Sequence, residues 1–256
     1  MARSDRTFIG GGDGGFHTTQ WDNIHAARTL DIQRKGEVIN AIMGKYWKPV
    51  YSYLRRKGSD NEEAKDLTQG FFHEVILGRE LISQADQTKG RFRTLLLTAL
   101  DRYVVSVHRA RTAKKRAPEQ PMVALDNFDP GGIHTPIELD TPADAFTYAW
   151  AAELLGNVIN DVRDQCLADG LEKHWEVFQA TVVKPTMEGL QTPGLDELCR
   201  RLDIESESKA SNMSVTVKRR FRSALTRRIR QYVDSDDQVE EEIRDMMKIL
   251  SKGRAG

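Results

Sequence analysis

Eight Lys and Arg side chains fall within residues 208–232, with no Asp or Glu among them: Lys209, Lys218, Arg219, Arg220, Arg222, Arg227, Arg228 and Arg230. The stretch also lacks Pro and Gly. Ala210, Met213, Val217, Phe221 and Ala224 recur at three- and four-residue steps, which makes one stripe of an α-helix. Asn212, Val215, Arg219 and Arg222 take the opposite side. The chemistry on offer is binding. Guanidinium and ammonium groups neutralise phosphates, and amide and hydroxyl groups read base edges in a major groove that accepts one helix. A solvated basic face is the plainer meaning of such a run, so its context decides.

Other reactive residue types form weaker patterns. His73-Glu74-Val75-Ile76-Leu77 opens like the zinc motif HExxH but ends in Leu, so the second ligand is missing. His17, His25, His108, His134 and His174 have no metal-ligand spacing. Cys166 and Cys199 are isolated, which excludes a zinc ribbon and reads as two reduced thiols. Glu62, Glu63 and Asp66 lie at a helix start, where acids favour the dipole. Nothing around Ser52 or Ser83 resembles a nucleophile elbow. The glycine-rich residues 10–15 have neither a preceding strand nor a following Gly-Lys-Ser/Thr, so they are no phosphate loop. No enzyme signature emerges, and no cofactor or metal is expected.

The elements that must position the basic stretch are helical. Strand-like alternation is nearly absent across the 256 residues, so the expected class is all-α. A first helix is expected through Ile24, Ala27 and Leu30. A second covers about 35–57, with Val38, Ile42, Tyr46, Val50 and Leu54 on one face and Pro49 inside it. Gly58 ends it, and Ser59-Asp60 caps a third over about 61–78. A short turn and a polar loop, 86–90, lead to a long helix over about 92–115. Its inward stripe is Leu96, Ala99, Tyr103, Val107 and Ala110. Five of the eight prolines lie in 117–145, so that segment is expected to be a linker between two helical domains. Beyond it, helices are expected over 146–166, 171–183 and 195–202. The last, followed by the basic helix, has the outline of a helix-turn-helix.

The formal net charge is zero, yet the charges are segregated. Residues 89–116 hold nine Lys/Arg against Asp101 alone, and 234–245 hold seven acids against Arg244 alone. Two basic blocks and an acidic tail suggest two polyanion-binding surfaces. No apolar run is long enough for a membrane span and no signal peptide is evident, so a cytoplasmic protein is expected.

Asp66-Leu67-Thr68-Gln69, with Phe71 and Phe72 after it and Glu62-Glu63 before it, resembles region 2 of bacterial sigma factors, the initiation subunits of RNA polymerase. The upstream run Tyr46 to Leu54 and the downstream run Lys89 to Leu96 are similar to the same region. Within the sigma-70 family the resemblance is closest to the extracytoplasmic-function type, in a long variant associated with planctomycete-type bacteria. It covers most of the chain. It implies an N-terminal extension (1–34), a region 2 domain (35–116), a linker (117–145), a region 4 helix-turn-helix domain (146–233) and an acidic C-terminal helix (234–256).

The resemblance also implies partners and residues. Core RNA polymerase would bind through Glu62, Asp66, Leu67, Gln69 and Phe72, with Glu74 beside them. Promoter DNA would meet region 2 at the −10 element through Lys89, Arg91, Arg93, Arg102, His108, Arg109 and Arg111, with phosphates held at Lys114-Lys115-Arg116. Tyr103 lies in the apolar stripe, where core packing outweighs base stacking. The linker acids Asp126, Asp129, Glu138 and Asp140 would lie near the RNA path. Region 4 would read the −35 element, with Asn212, Thr216 and Arg219 on base edges and Lys209, Ser211, Lys218 and Arg222 on phosphates. An anti-sigma factor or other regulator is a further partner. The stretch 203–210, with Glu205 and Glu207, departs from the family's short turn and leaves the start of the reading helix open. The tail's stripe of Val239, Ile243, Met246, Met247 and Leu250 either packs on region 4 or folds over the basic helix. The alternative is a free-standing helix-turn-helix regulator that binds an operator without polymerase. A nucleic-acid-processing enzyme using acids such as Asp66 and Asp101 has no paired-carboxylate motif behind it.

Overall fold

A computed structural model describes residues 32–78, 81, 92–114, 139–230, 233 and 236–253, and these are helical with short connections and no strand among them. The expected helix near Ile24, the glycine-rich lead, Lys89, Arg91, Lys115, Arg116 and residues 117–138 of the expected linker lie outside the described residues.

Helix α1 (Ile32–Arg56) runs unbroken through Pro49 and buries Ile42, Tyr46, Val50 and Leu54, the expected face. Arg55 and Arg56 stand in its last turn, where cations favour the dipole. Gly58, at φ 106°, then lets the Ser59 N–H donate back to the Leu54 carbonyl at 3.2 Å. Helix α2 (Asn61–Phe71) starts at Asp60, whose carboxylate accepts the Glu63 N–H at 2.8 Å. It continues as a π-helical stretch, Phe72–Gly78. Helix α3 (Phe92–Lys114) buries Phe92, Leu96, Leu100, Tyr103 and Val104. Its inward stripe therefore turns through Leu100 and Val104, while Ala99 and Val107 are half-buried and Ala110 is exposed.

Helix α4 (Pro142–Ala168) begins four residues inside the expected linker. Thr141 caps it, accepting the Asp144 N–H at 3.0 Å, and Pro142 takes a first-turn position, where its missing N–H has no helical partner to lose. A proline read as a breaker is thus a helix start. At 27 residues α4 spans about 40 Å. After Gly170 (φ 68°) come α5 (Glu172–Phe178), a π-helical stretch (Gln179–Val183) and the short α6 (Lys184–Glu188), one unbroken helical run that passes through Pro185. Helices α7 (Leu195–Leu202), α8 (Glu207–Arg230) and α9 (Asp236–Lys252) follow.

The main core runs through both expected halves. Tyr46 of α1 stacks on Phe146 of α4 (centroids 6.2 Å apart) and meets Phe92 of α3 edge-on at 5.8 Å. Val158 and Val162 of α4, Val217 and Ile229 of α8 and Val239 and Met246 of α9 belong to the same cluster. Lys48 of α1 pairs with Glu153 of α4 at 2.8 Å. Where α1, α4 and α8 meet, Arg228 pairs with Asp161, and burial together with the Arg228 charge pushes the Lys45 ammonium down to about 7.

Candidate nucleic-acid interface

The geometry of the basic helix is set by the turn before it. Helix α7 ends at Asp203, which takes the left-handed conformation (φ 52°, ψ 60°). The next N–H, of Ile204, donates to the Cys199 carbonyl at 2.9 Å. Ile204 then inserts into a small second core with Val177 of α5 and Ala210 and Met213 of α8, flanked by Leu195, Cys199 and Leu202. Ser206 caps α8, its hydroxyl oxygen accepting the Lys209 N–H at 3.2 Å. The turn is therefore four residues, 203–206. Residues 207–210, read from the sequence as part of an atypical lead, are the first turn of α8. Glu205 pairs with Lys209 at 2.8 Å, and that hydrogen bond holds its carboxyl below the usual range.

The outward face of α8 carries Lys209, Ser211, Asn212, Thr216, Lys218, Arg219 and Arg222, all exposed. Val215 lies among them, 48% exposed, and offers an apolar patch on an otherwise polar face. The Thr216 hydroxyl donates to the Asn212 carbonyl at 3.0 Å, which leaves its oxygen to accept. Two other cations of the stretch are structural. Arg220 reaches Asp169 at 2.6 Å, and Arg228 reaches Asp161. Cys166, beside Arg220, is a buried thiol whose ionisation burial opposes.

The candidate polymerase-binding residues divide. Glu62 and Asp66 are exposed, and Gln69 is half-buried. Leu67 and Phe72 are core residues, and Phe72, fully buried, stacks on Trp47 with centroids 6.0 Å apart. In this conformation neither offers a surface to a partner. The reason is phase. Ala64, Leu67, Thr68 and Phe71 form the inward stripe of α2, and Phe72, four residues after Thr68 and bonded back to its carbonyl, continues that stripe.

The candidate −10 residues divide too. Arg102, His108 and Arg109 stand exposed along α3. Arg111 is paired with Glu63. Arg93 turns inward, pairs with Glu242 of α9 and lies over the Trp150 ring, 4.4 Å from its centroid. Tyr103 packs against Phe71 at 5.7 Å with its hydroxyl against Gly70, so it is core. Asp101 accepts from Lys57 (2.6 Å) and Tyr53 (2.8 Å), bonds that hold its carboxyl ionised and acceptor-only, the opposite of a general acid.

Trp150 and Glu242 are the residues that the sequence reading missed. A signal was present. Positions 239, 242, 246 and 249 share one face of a helix, and a carboxylate amid that apolar face calls for a buried cation. The structure buries Val239, Glu242, Met246 and Ile249, half-buries Ile243 and Leu250, and exposes Met247. Helix α9 packs on α4 and against the end of α8, where Ile229 is buried, and it leaves the basic face of α8 open. It does not fold over the reading face.

Among the described residues no cluster of His, Cys, Asp or Glu suits a metal ion, and no helix is long and apolar enough to cross a membrane. Comparison with protein-family models, with curated proteins and with solved structures finds no match.

Proposed function

We propose that the chain is a promoter-specificity subunit of RNA polymerase, without catalysis of its own, that directs core enzyme to promoter DNA. The observation that carries this reading is the α7–turn–α8 motif, whose second helix exposes Asn212, Val215, Thr216, Arg219 and Arg222 together. Amide, hydroxyl, apolar and guanidinium groups on one helix face suit base edges and thymine methyls, and Lys218 beside them suits phosphate. This face would take the −35 element. Arg102, His108 and Arg109 on α3 would take the −10 element. The acidic edge of α2, Glu62 and Asp66, with Gln69 at its margin, would dock on a basic surface of core polymerase. The resemblance in the Asp66-Leu67-Thr68-Gln69 region supports that docking, with Leu67 acting through the core rather than by contact. A cytoplasmic location and an anti-sigma regulator belong to the same proposal.

Run-off transcription tests it. Core polymerase with this protein should initiate at discrete sites on genomic fragments, and Asp66→Ala should abolish both initiation and co-purification with core. One observation favours a second reading. The core joining α1 and α4 makes the chain one packed body with its basic helix already open, which suits an operator-binding regulator. Tight duplex binding with no retention of core polymerase would replace the first reading with the second.

A further inference from the structure

Among the described candidate −10 cations, Arg93 is the one held by a buried carboxylate. Both terminal nitrogens of Arg93 reach Glu242, the second at 3.3 Å. The guanidinium lies over Trp150, which is 3% exposed. Glu242 itself is 1% exposed, on the face of α9 that otherwise presents Val239, Met246 and Ile249 to the core. Burying a carboxylate there carries a desolvation penalty that the Arg93 fork helps to offset, and an apolar side chain of similar size would pack without it. In some proteins such a pair serves specificity or switching rather than stability. A fork that grips two carboxylate oxygens grips two phosphate oxygens in the same way. The sequence just before it is basic, with Lys89 and Arg91, while exposed Arg102 and Arg109 stand on the far side of the same helix. At its far end α9 is tied by Lys252 to Asp140 (3.6 Å) and Asp144 (3.7 Å), at the start of α4.

We propose that α9 is a displaceable clasp in which Glu242 occupies the place of a DNA phosphate at Arg93, so that α9 and promoter DNA compete for that guanidinium. This rests on the proposed function, whose −10 surface it regulates. Leaving Arg93, α9 would free its guanidinium for a phosphate and open the Trp150 face to a stacked base. The acidic tail then acts on the −10 side and not on the α8 reader, whose face it leaves open.

The test uses the full chain and a fluorescent oligodeoxythymidine of about 20 nucleotides, which spans a single-strand binding site. Glu242→Gln removes the charge that competes. Lys252→Glu loosens α9 from its exposed end, without touching the core or Arg93. Each should bind about tenfold tighter than the unaltered chain, within the usual range of couplings between sites. Adding Arg93→Gln to Lys252→Glu should return binding to the starting level. In the unaltered chain, bound DNA should speed amide hydrogen exchange throughout 236–252. If Glu242→Gln fails to fold, Lys252→Glu and the exchange experiment still decide. Unchanged affinity in a folded variant, or α9 amides that stay protected with DNA bound, overturns the clasp. Polymerase takes no part here. A chain that shows the competition but never directs run-off would lose the polymerase reading and keep the clasp, and the converse result would do the reverse.

Discussion

Gly70 and Tyr103 show how finely single residues set the packing of α2 on α3. A Cβ at Gly70 would sit well inside van der Waals contact distance of the Tyr103 hydroxyl oxygen. Gly70→Ala should therefore destabilise the protein by about 1–3 kcal/mol, as overpacking does. Tyr103→Phe in the same chain, which deletes that oxygen, should recover most of it in urea titrations. Lys45 gives a pH dependence. Burial, then the charge of Arg228, lowers its ammonium from 10.5 to about 7. Between those values the unfolded chain holds the proton and the folded chain does not, so stability rises with pH across that window. It is greatest above the unfolded value and falls as pH drops through about 7. Lys45→Met should flatten the slope between pH 7 and pH 9 and stabilise the protein at pH 7 by on the order of 1–3 kcal/mol, after discounting for partial exposure. An unchanged slope in the variant would place the titrating group elsewhere. Residue roles were legible where a helical stripe was clean: the exposure of Arg102, His108 and Arg109 and the burial of Tyr103 follow from period alone. The burial of Phe72 follows from the same period, since it stands four residues after buried Thr68; its place among the partner contacts came only from the resemblance. The role of Arg93 was not legible, because its partner lies 149 residues away.

At the scale of elements, the turn between α7 and α8 aims the candidate reading face. Ser206→Ala removes the cap on α8 and should destabilise the protein by ~1 kcal/mol. It should also weaken DNA binding more than an exposed substitution of equal size elsewhere on α8, such as Ser223→Ala, when both are compared by mobility shift. On the reading face, Arg222→Ala should weaken binding to all duplexes alike and lower the salt slope by about one ion, whereas Asn212→Ala should relax sequence preference. Equal effects of the two substitutions on cognate and unrelated DNA would deny Asn212 a reading role. Elements were the most legible level. The expected 195–202 coincides with α7, and α1, α3, α8 and α9 start and stop within a few residues of expectation. The errors fall where proline was read as punctuation. Pro142 opens a helix, because a first-turn proline has no helical hydrogen bond to lose, and the helical run 172–188 passes through Pro185.

At the scale of the whole molecule, the aromatic contacts of Tyr46 with Phe92 and Phe146 tie α1, α3 and α4 into a core that continues to α8 and α9. Chemical denaturation should give one transition, with far-ultraviolet circular dichroism and tryptophan fluorescence changing together, since Trp47, Trp150 and Trp175 all report on that core. Separate transitions would show that α1–α3 and α4–α9 are stable apart. The all-helical class was legible because helical period fills the sequence and strand alternation does not. The packing of α1 against α4 was not, since hydrophobic period shows that a face is buried and never against what.

That packing has a consequence for how the chain is made. Lys48 precedes its partner Glu153 by 105 residues. At ordinary synthesis rates α1 leaves the ribosome about 5–20 s before the helix that covers Tyr46 and Val50. For that interval the nascent protein carries an uncovered aromatic face. Chains arrested before residue 142 should be held by chaperones or aggregate, and chains long enough to expose α4 should be released from both.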